Sequence, residues 1–487
     1  MITSFDFSVI APELILVGGA MLMLLLDAFW SGFVKSLGPV LTAIIIFAAL
    51  LTLQQSTGAE RLAFGALISD GFSILIGFLV LFSAFLVAMF AWGYLEVRGL
   101  SVGEFMTGLL IASAGMILIA RSTNLMVIFV ALEVLSIALY LLIAYHRTSG
   151  DSGEAGMKYF LLGAYASAIF LFGAALIYGQ YGTMTITVKE QGIIHTRMGL
   201  IGIVFIIVGM GFKISIVPFH LWTPDVYQGA PAPVTAFLSS ASKVAAFGAL
   251  MRIVYPAMYG HLPEWQQIWP FLAAITMIVG NVIALVQEDV KRILAYSSIA
   301  HVGFILMALG GGSGMDVVGA EGVLFYLLTY VLATVGSFGV VAAMPGDERG
   351  RVDLHYIRGL SRSHPWLAAL FALFVLSLVG VPPLIGFTGK LYAFRAVIDA
   401  KMYWLAGFAA LNAAMAVYYY LRIVVRMYME SRAEPYRFAV PQMIYASLVV
   451  AAIGVVVLGL FPGSALEMVR SGAQAIIPPP LPVQPEF

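Results

Sequence analysis

Glu133, Lys213, Lys243 and Lys390 each interrupt a run of apolar residues long enough to cross a membrane. Their chemistry suits them to pass protons. A lysine taken out of water holds its proton less tightly, and a carboxylate within about 4–6 Å restores that hold. A buried lysine beside a movable glutamate is therefore a proton switch, holding when the pair closes and releasing when it opens. Glu133 lies in NLMVIFVALEVLSIALYLL and Lys243 in VTAFLSSASKVAAFGAL, while Lys213 precedes Pro218 and Lys390 follows Pro383. A mid-helix charge carries an apparent insertion cost of roughly 2.5–3.5 kcal/mol, so four of them call for a function. A plainer reading stands beside this one, because an intramembrane Lys–Glu pair can simply hold two helices together.

Two further residues join the candidates. Lys158 lies near the start of its apolar run, where a lysine can also reach the interface, and His301 in SSIAHVGF titrates near neutrality when unperturbed. A carbonyl-bonded structural histidine is an equal reading of His301. His220 and Asp225 read first as polar contacts at a helix end. Other chemistry is missing from the pattern. There is no Walker-type phosphate loop, no histidine pair at metal-binding spacing and no GxSxG elbow. With no cysteine in the chain, thiolate-ligated iron–sulfur clusters, Cys-zinc sites and disulfides are excluded. No cofactor or metal is expected in this chain.

The elements that must position these side chains follow from hydropathy. Of 487 residues 61% are hydrophobic and 10% charged, mean hydropathy is +0.99 and the formal net charge is zero, which calls for lipid as solvent and points to no nucleic-acid partner. Fourteen spans are expected, beginning near Pro12, Leu37, Asp70, Phe105, Leu125, Gly156, Gly199, Pro231, Trp269, Ile293, Gly322, Trp366, Trp404 and Pro441. The predicted class is an all-α polytopic membrane protein, with 1–487 one membrane domain. Within it we separate an N-terminal three-helix part (1–100), two repeats (104–257 and 268–428) and a last helix with an extended tail ending in PPPLPVQPEF (441–487). The first helix reads as retained, since no Lys or Arg precedes Lys35. Twelve loop Lys and Arg fall on one side and eight on the other, which predicts both termini outside.

The repeats rest on AGMKYFLLGAYASAIFLFGA, from Ala155, laid on EGVLFYLLTYVLATVGSFGV, from Glu321, at an offset of 166. The sixth span then matches the eleventh, an odd shift, so the two five-helix copies run in opposite directions. The offset does not duplicate the charges, since it sends Glu133 to Ile299 and Lys213 to Val379. Two spans, 199–227 and 365–398, carry IVPFH and GVPPLIG in mid-course. Proline removes a backbone donor and clashes with the preceding turn, so both helices are expected to break, and broken backbone at that depth must be enclosed by protein or line a wet cavity.

The stretch FKISIVPFHLWTPDVYQGAPAPVTAFLSSASKVAA, residues 212–246, resembles the antiporter-like, proton-translocating subunits of respiratory NADH:quinone oxidoreductase (complex I), and within them the N-subunit family. The resemblance runs from about the fourth span to the thirteenth. It implies that Glu133 is the family's fifth-span glutamate, Lys213 and Lys390 the lysines of its broken spans, and Lys243 its connecting lysine. It also implies a non-redox subunit of a translocase in a bacterial inner membrane, among other membrane subunits. Flavin, iron–sulfur clusters and quinone would sit in partners. The alternative is an Mrp-like cation/proton antiporter subunit.

Overall fold

The computed structural model describes residues 4–55, 62–186, 196–258, 268–311, 317–347, 350–431 and 438–477. The tail PPPLPVQPEF and the loop charges Arg61, Lys189, Arg349, Arg432 and Arg437 lie outside the described residues. The helices are α1 (Ser4–Phe29), α2 (Ser31–Gln55), α3 (Gly71–Arg98), α4 (Val102–Arg121), α5 (Leu125–Ile143), α6 (Gly150–Tyr181), α7 (Arg197–Ile214), α8 (Trp222–Gly229), α9 (Ala232–Ser239) and α10 (Ala241–Met258). They continue as α11 (Ile268–Leu285), α12 (Val290–Gly310), α13 (Val317–Ala343), α14 (Leu360–Ser363), α15 (Pro365–Val379), α16 (Ile385–Asp399), α17 (Tyr403–Tyr428), α18 (Gln442–Leu460) and α19 (Gly463–Ile476). Thirteen helices among the described residues are long and apolar enough to cross a membrane, counting α9 and α10 as one. The expected twelfth span is the broken pair α15 and α16, so the count of fourteen stands.

Local sequence explains most of the starts. Asp70 caps α3 by accepting from the Ser73 amide while the Ser73 hydroxyl accepts from the Asp70 amide. Asn124 caps α5 through the amides of Met126 and Val127. α1 begins eight residues before the expected Pro12 because tertiary partners satisfy its acids: the Phe64 amide donates to Asp6, and Arg121 pairs with Glu13 at 3.3 Å. The segment after α18, read from sequence as a tail, instead starts with amphipathic α19. Its residues Ala465, Val469, Ala473 and Ile476 are buried, and its Gly472 sits against Leu75 of α3.

The two expected repeats correspond to α4–α10 and α11–α17. α9–α10 and α13 are wholly buried at the centre, whereas only a third of α6, α17 and α18 is buried, leaving their outer faces for lipid or partners. Each unit breaks its fourth span. α7 ends at Ile214, after which Ser215 turns left-handed (φ 72°) ahead of a cis Val217–Pro218 bond; α15 ends at Val379, with Gly380 left-handed (φ 89°) ahead of a cis Pro382–Pro383 bond. The halves of the second break pass very close together. A Cβ at Gly386 would overlap the Ser377 carbonyl oxygen, and the Gly386 amide donates to the Ser377 hydroxyl at 3.3 Å.

Candidate functional site

Lys213 stands in the last turn of α7, buried, where the helix dipole favours a cation. The turn is closed by Trp222, whose indole N–H donates to the Phe212 carbonyl at 2.9 Å. The Lys213 ammonium donates to the Ser136 hydroxyl at 2.7 Å and to the Tyr159 hydroxyl at 3.4 Å, and lies 4.9 Å from the Tyr159 ring centre. Glu133, one turn before Ser136 on α5, does not pair with Lys213. Its carboxylate accepts from the Ser167 hydroxyl of α6 and is only partly buried. The expected switch pair is thus drawn in its open arrangement, with Ser136 in the place of the carboxylate.

Lys243 sits just past the irregular turn at Ser240 that separates α9 from α10, a turn held by the 2.6 Å contact between the Ser240 and Ser83 hydroxyls. Its ammonium donates to the carbonyl of Ser298 at 3.3 Å and to the Ser298 hydroxyl. The Ser298 hydroxyl in turn bonds the Tyr330 hydroxyl at 2.7 Å. His301, one turn further along α12, is buried; its Nδ1 meets the Tyr326 hydroxyl at 2.7 Å and its Nε2 the Tyr420 hydroxyl at 3.1 Å. Tyr420 also bonds Ser297.

Lys390 of α16 turns back across the second break and donates to the Val379 carbonyl at 2.6 Å, at the C-terminus of α15. The two breaks therefore place an ammonium at comparable half-helix ends by different routes. In the first the lysine belongs to the helix that ends, and in the second to the helix that follows. Phe304 of α12 lies 5.2 Å from the Lys390 ammonium and stacks on Tyr326 at 6.3 Å.

These contacts join the three lysines into a row. From Lys213 it passes Tyr159, Trp222 and Tyr227 to Lys243, then Ser298, Tyr330 and His301, then Phe304 to Lys390. No lysine of the row forms an ion pair among the described residues. Lys158 stays outside it, at the rim, paired with Glu154 at 2.6 Å and Asp225 at 2.7 Å with its side chain 41% exposed. Asp225 on α8 also pairs with Arg292 at 2.8 Å, while His220 is buried in the turn between α7 and α8. Among the described residues no group of three His, Asp or Glu could hold a metal ion.

Sequence reasoning missed the hydroxyls that hold the lysines. Ser297 and Ser298 stand beside His301 in the already quoted SSIAH, and Tyr326 and Tyr330 sit one turn apart on α13. Polar groups at helical spacing inside spans were the available signal.

A family model described as NADH:quinone oxidoreductase/Mrp antiporter, TM matches residues 122–416, which contain the whole row. NADH-quinone oxidoreductase subunit N of Beijerinckia indica subsp. indica is 38% identical over 470 residues, covering 96% of this chain and 97% of the relative. This chain belongs to the subunit N family of NADH-quinone oxidoreductase. The subunit N of Rhodobacter capsulatus is likewise 38% identical, over 483 residues and 97% of this chain. A chain of respiratory complex I from Thermus thermophilus with bound aureothin superposes with a TM-score of 0.81 at 36% identity, covering 94% of this chain and 100% of that one. A chain of the Mrp complex from Dietzia sp. superposes at 0.85 with 19% identity, so it shares the fold with subunit N. Subunit N is thus a polytopic membrane subunit that partners other membrane subunits.

Proposed function

We propose that this chain carries protons across the membrane through Lys213, Lys243 and Lys390, as the subunit N of a proton-pumping NADH-quinone oxidoreductase. The observation that carries this reading is the row itself. Three buried lysines are held by hydroxyls and carbonyls instead of carboxylates. A structural ion pair would fix an ammonium against an acid; hydroxyl and carbonyl partners leave the proton free to depart.

Glu133 supplies the modulation. When its carboxylate swings from Ser167 toward Lys213 it holds the proton there, and when it returns the proton moves on toward Lys243 and His301. Lys158 acts at the rim through Asp225. The energy comes from quinone reduction in partner subunits that hold flavin, iron–sulfur clusters and quinone. The loop charges favour both termini on the periplasmic side of a bacterial inner membrane, with intake from the cytoplasmic side.

The test is proton uptake by vesicles bearing the assembled complex, measured against NADH oxidation. Lys213→Ala, Lys243→Ala and Lys390→Ala should each lower the protons moved per NADH while the complex assembles. Unchanged ratios in all three would leave the chain a scaffold, and purification without flavin- and iron–sulfur-containing companions would reject the complex.

A further inference from the structure

A polar cavity of about 440 Å³ opens on the face that carries the α5–α6, α8–α9 and α11–α12 connections, which is the face read above as cytoplasmic. Its wall includes Arg98 at the end of α3, Thr148, Asp151 and Gln228 from the first expected repeat, and Lys291 and Arg351 from the second. Asp151 and Arg351 pair across it at 2.8 Å, which joins α6 to the segment before α14. The row of lysines is not part of this wall.

Lys291 is the buried cation of the cavity, 6% exposed, one residue into α12. Its ammonium donates to the carbonyls of Gln228 at 2.7 Å and Ala230 at 2.8 Å, at the C-terminal end of α8. Seven residues along the same helix comes Ser298, which holds Lys243. Two turns of helix return to the same face about 10 Å deeper. Lys291 and the partner of Lys243 therefore occupy one stripe of α12, the first at the cavity and the second at the row.

A second observation lies between them. Tyr227, next to Gln228 on α8, is fully buried, and its ring centre is 6.0 Å from the Lys243 ammonium. Its hydroxyl faces the Ser298 side chain but makes no hydrogen bond of good geometry among the described residues. A buried hydroxyl held so loosely is where a bridging water is expected, because leaving it unsatisfied costs about 1–3 kcal/mol.

We infer that Lys291 and Tyr227 form an intake that delivers protons from this cavity straight to Lys243, in the middle of the row. The inference rests on the proposed proton row and adds an entry to it. Lys291 gives one N–H proton by way of water to the Tyr227 oxygen as the Tyr227 hydroxyl passes its own to the neutral Lys243 amine. Lys291 is then reprotonated from the cavity. The carbonyls of Gln228 and Ala230 keep the ammonium at the mouth, and neither of them binds the proton in competition.

A merely structural Lys291 would be a cation capping the end of α8. Lys291→Arg separates the two roles, since guanidinium keeps the charge and the donors but does not release a proton. In vesicles with the assembled complex, Lys291→Arg and Tyr227→Phe should each lower protons moved per NADH at least about twofold. The chain has no native cysteine, so Thr148→Cys in the cavity wall gives one reactive site in this subunit. A bulky, membrane-impermeant thiol reagent added from the cytoplasmic side should lower the ratio similarly, with reversal by reductant and unmodified complex as control for partner cysteines. Wild-type ratios in Lys291→Arg or in Tyr227→Phe overturn the intake. Lys243→Ala, run alongside, tells the two failures apart. If it too pumps normally, the row itself is wrong; if it alone fails to pump, only the intake is.

Discussion

The Lys213 ammonium lies 2.7 Å from the Ser136 hydroxyl, one helical turn from the Glu133 carboxylate that it was expected to meet. The same turn of α5 thus offers two resting places for one cation, a neutral one that is occupied and a charged one that is turned toward Ser167.

Ser136→Ala removes the neutral resting place. A hydrogen bond to a charged group contributes about 1.5–3 kcal/mol, so Lys213 should shift toward Glu133 and proton transfer should slow several-fold. In a cycle of Ser136→Ala, Glu133→Ala and the double variant, the pumping rates should depart from additivity by about 1 kcal/mol or more. Additive effects would mean that the two positions serve Lys213 independently.

Gly380→Ala probes the second break. Its φ of 89° costs an L-residue about 1–2 kcal/mol, and the added Cβ would stand 3.0 Å from Cδ of Lys390. Thermal unfolding in detergent should fall by that amount, and proton transfer should drop because Lys390 is pushed off the Val379 carbonyl. Retained stability with lost pumping would place the effect on the lysine alone.

Arg252→Ala should be the most damaging single loss outside the row. Arg252 grips Asp70 with two bonds of 2.7 and 2.9 Å and also donates to the Ala120 carbonyl, tying α3, α4 and α10 together. Removing one partner of a buried pair costs about 3–5 kcal/mol, whereas Arg147→Ala, which breaks an exposed pair with Glu104, should cost under about 1 kcal/mol. Melting curves of the two variants would show the difference.

The same pair sets a pH expectation. Burial raises the Asp70 carboxyl, but the Arg252 charge and hydrogen bonds from Arg252 and Ser73 outweigh it and hold the group below the usual carboxylate range. A depressed folded value adds stability that is fully present above the unfolded value near 3.9 and is lost as pH falls through the folded one. The share of stability due to Asp70, read as the difference from Asp70→Asn, should stay constant from pH 8 to about 5 and shrink only below about 4.

The spans, the breaks and the burial of the three lysines were legible because each follows from a one-dimensional property. Hydropathy counts crossings, proline marks a missing donor, and a charge far from the ends of an apolar run has to be enclosed. Azimuth was not legible. Ser136 and Lys213 are 77 positions apart, and nothing in either segment says that a hydroxyl would face the ammonium while Glu133 turned aside. Lys158 was a separate candidate near the start of its run, and what the chain did not show is that the packing of α8 sets Asp225 beside it. Pro12 suggested a late start for α1 only because Arg121, the partner of Glu13, comes 108 positions later. The buried face of α19 was hidden by low mean hydropathy, since Ser464, Glu467, Arg470, Ser471 and Gln474 alternate with its apolar residues.

The close passage at Gly386 bears on how the second half of the molecule can work. With backbone against backbone at Ser377, the two halves of the broken span are locked like the arms of a set square. A cycle that needed them to swing would have to pry the corner apart first. Whatever changes at Lys390 during turnover therefore changes by torsion along its own four-carbon stem and by rearranged water, on a bracket that keeps its angle.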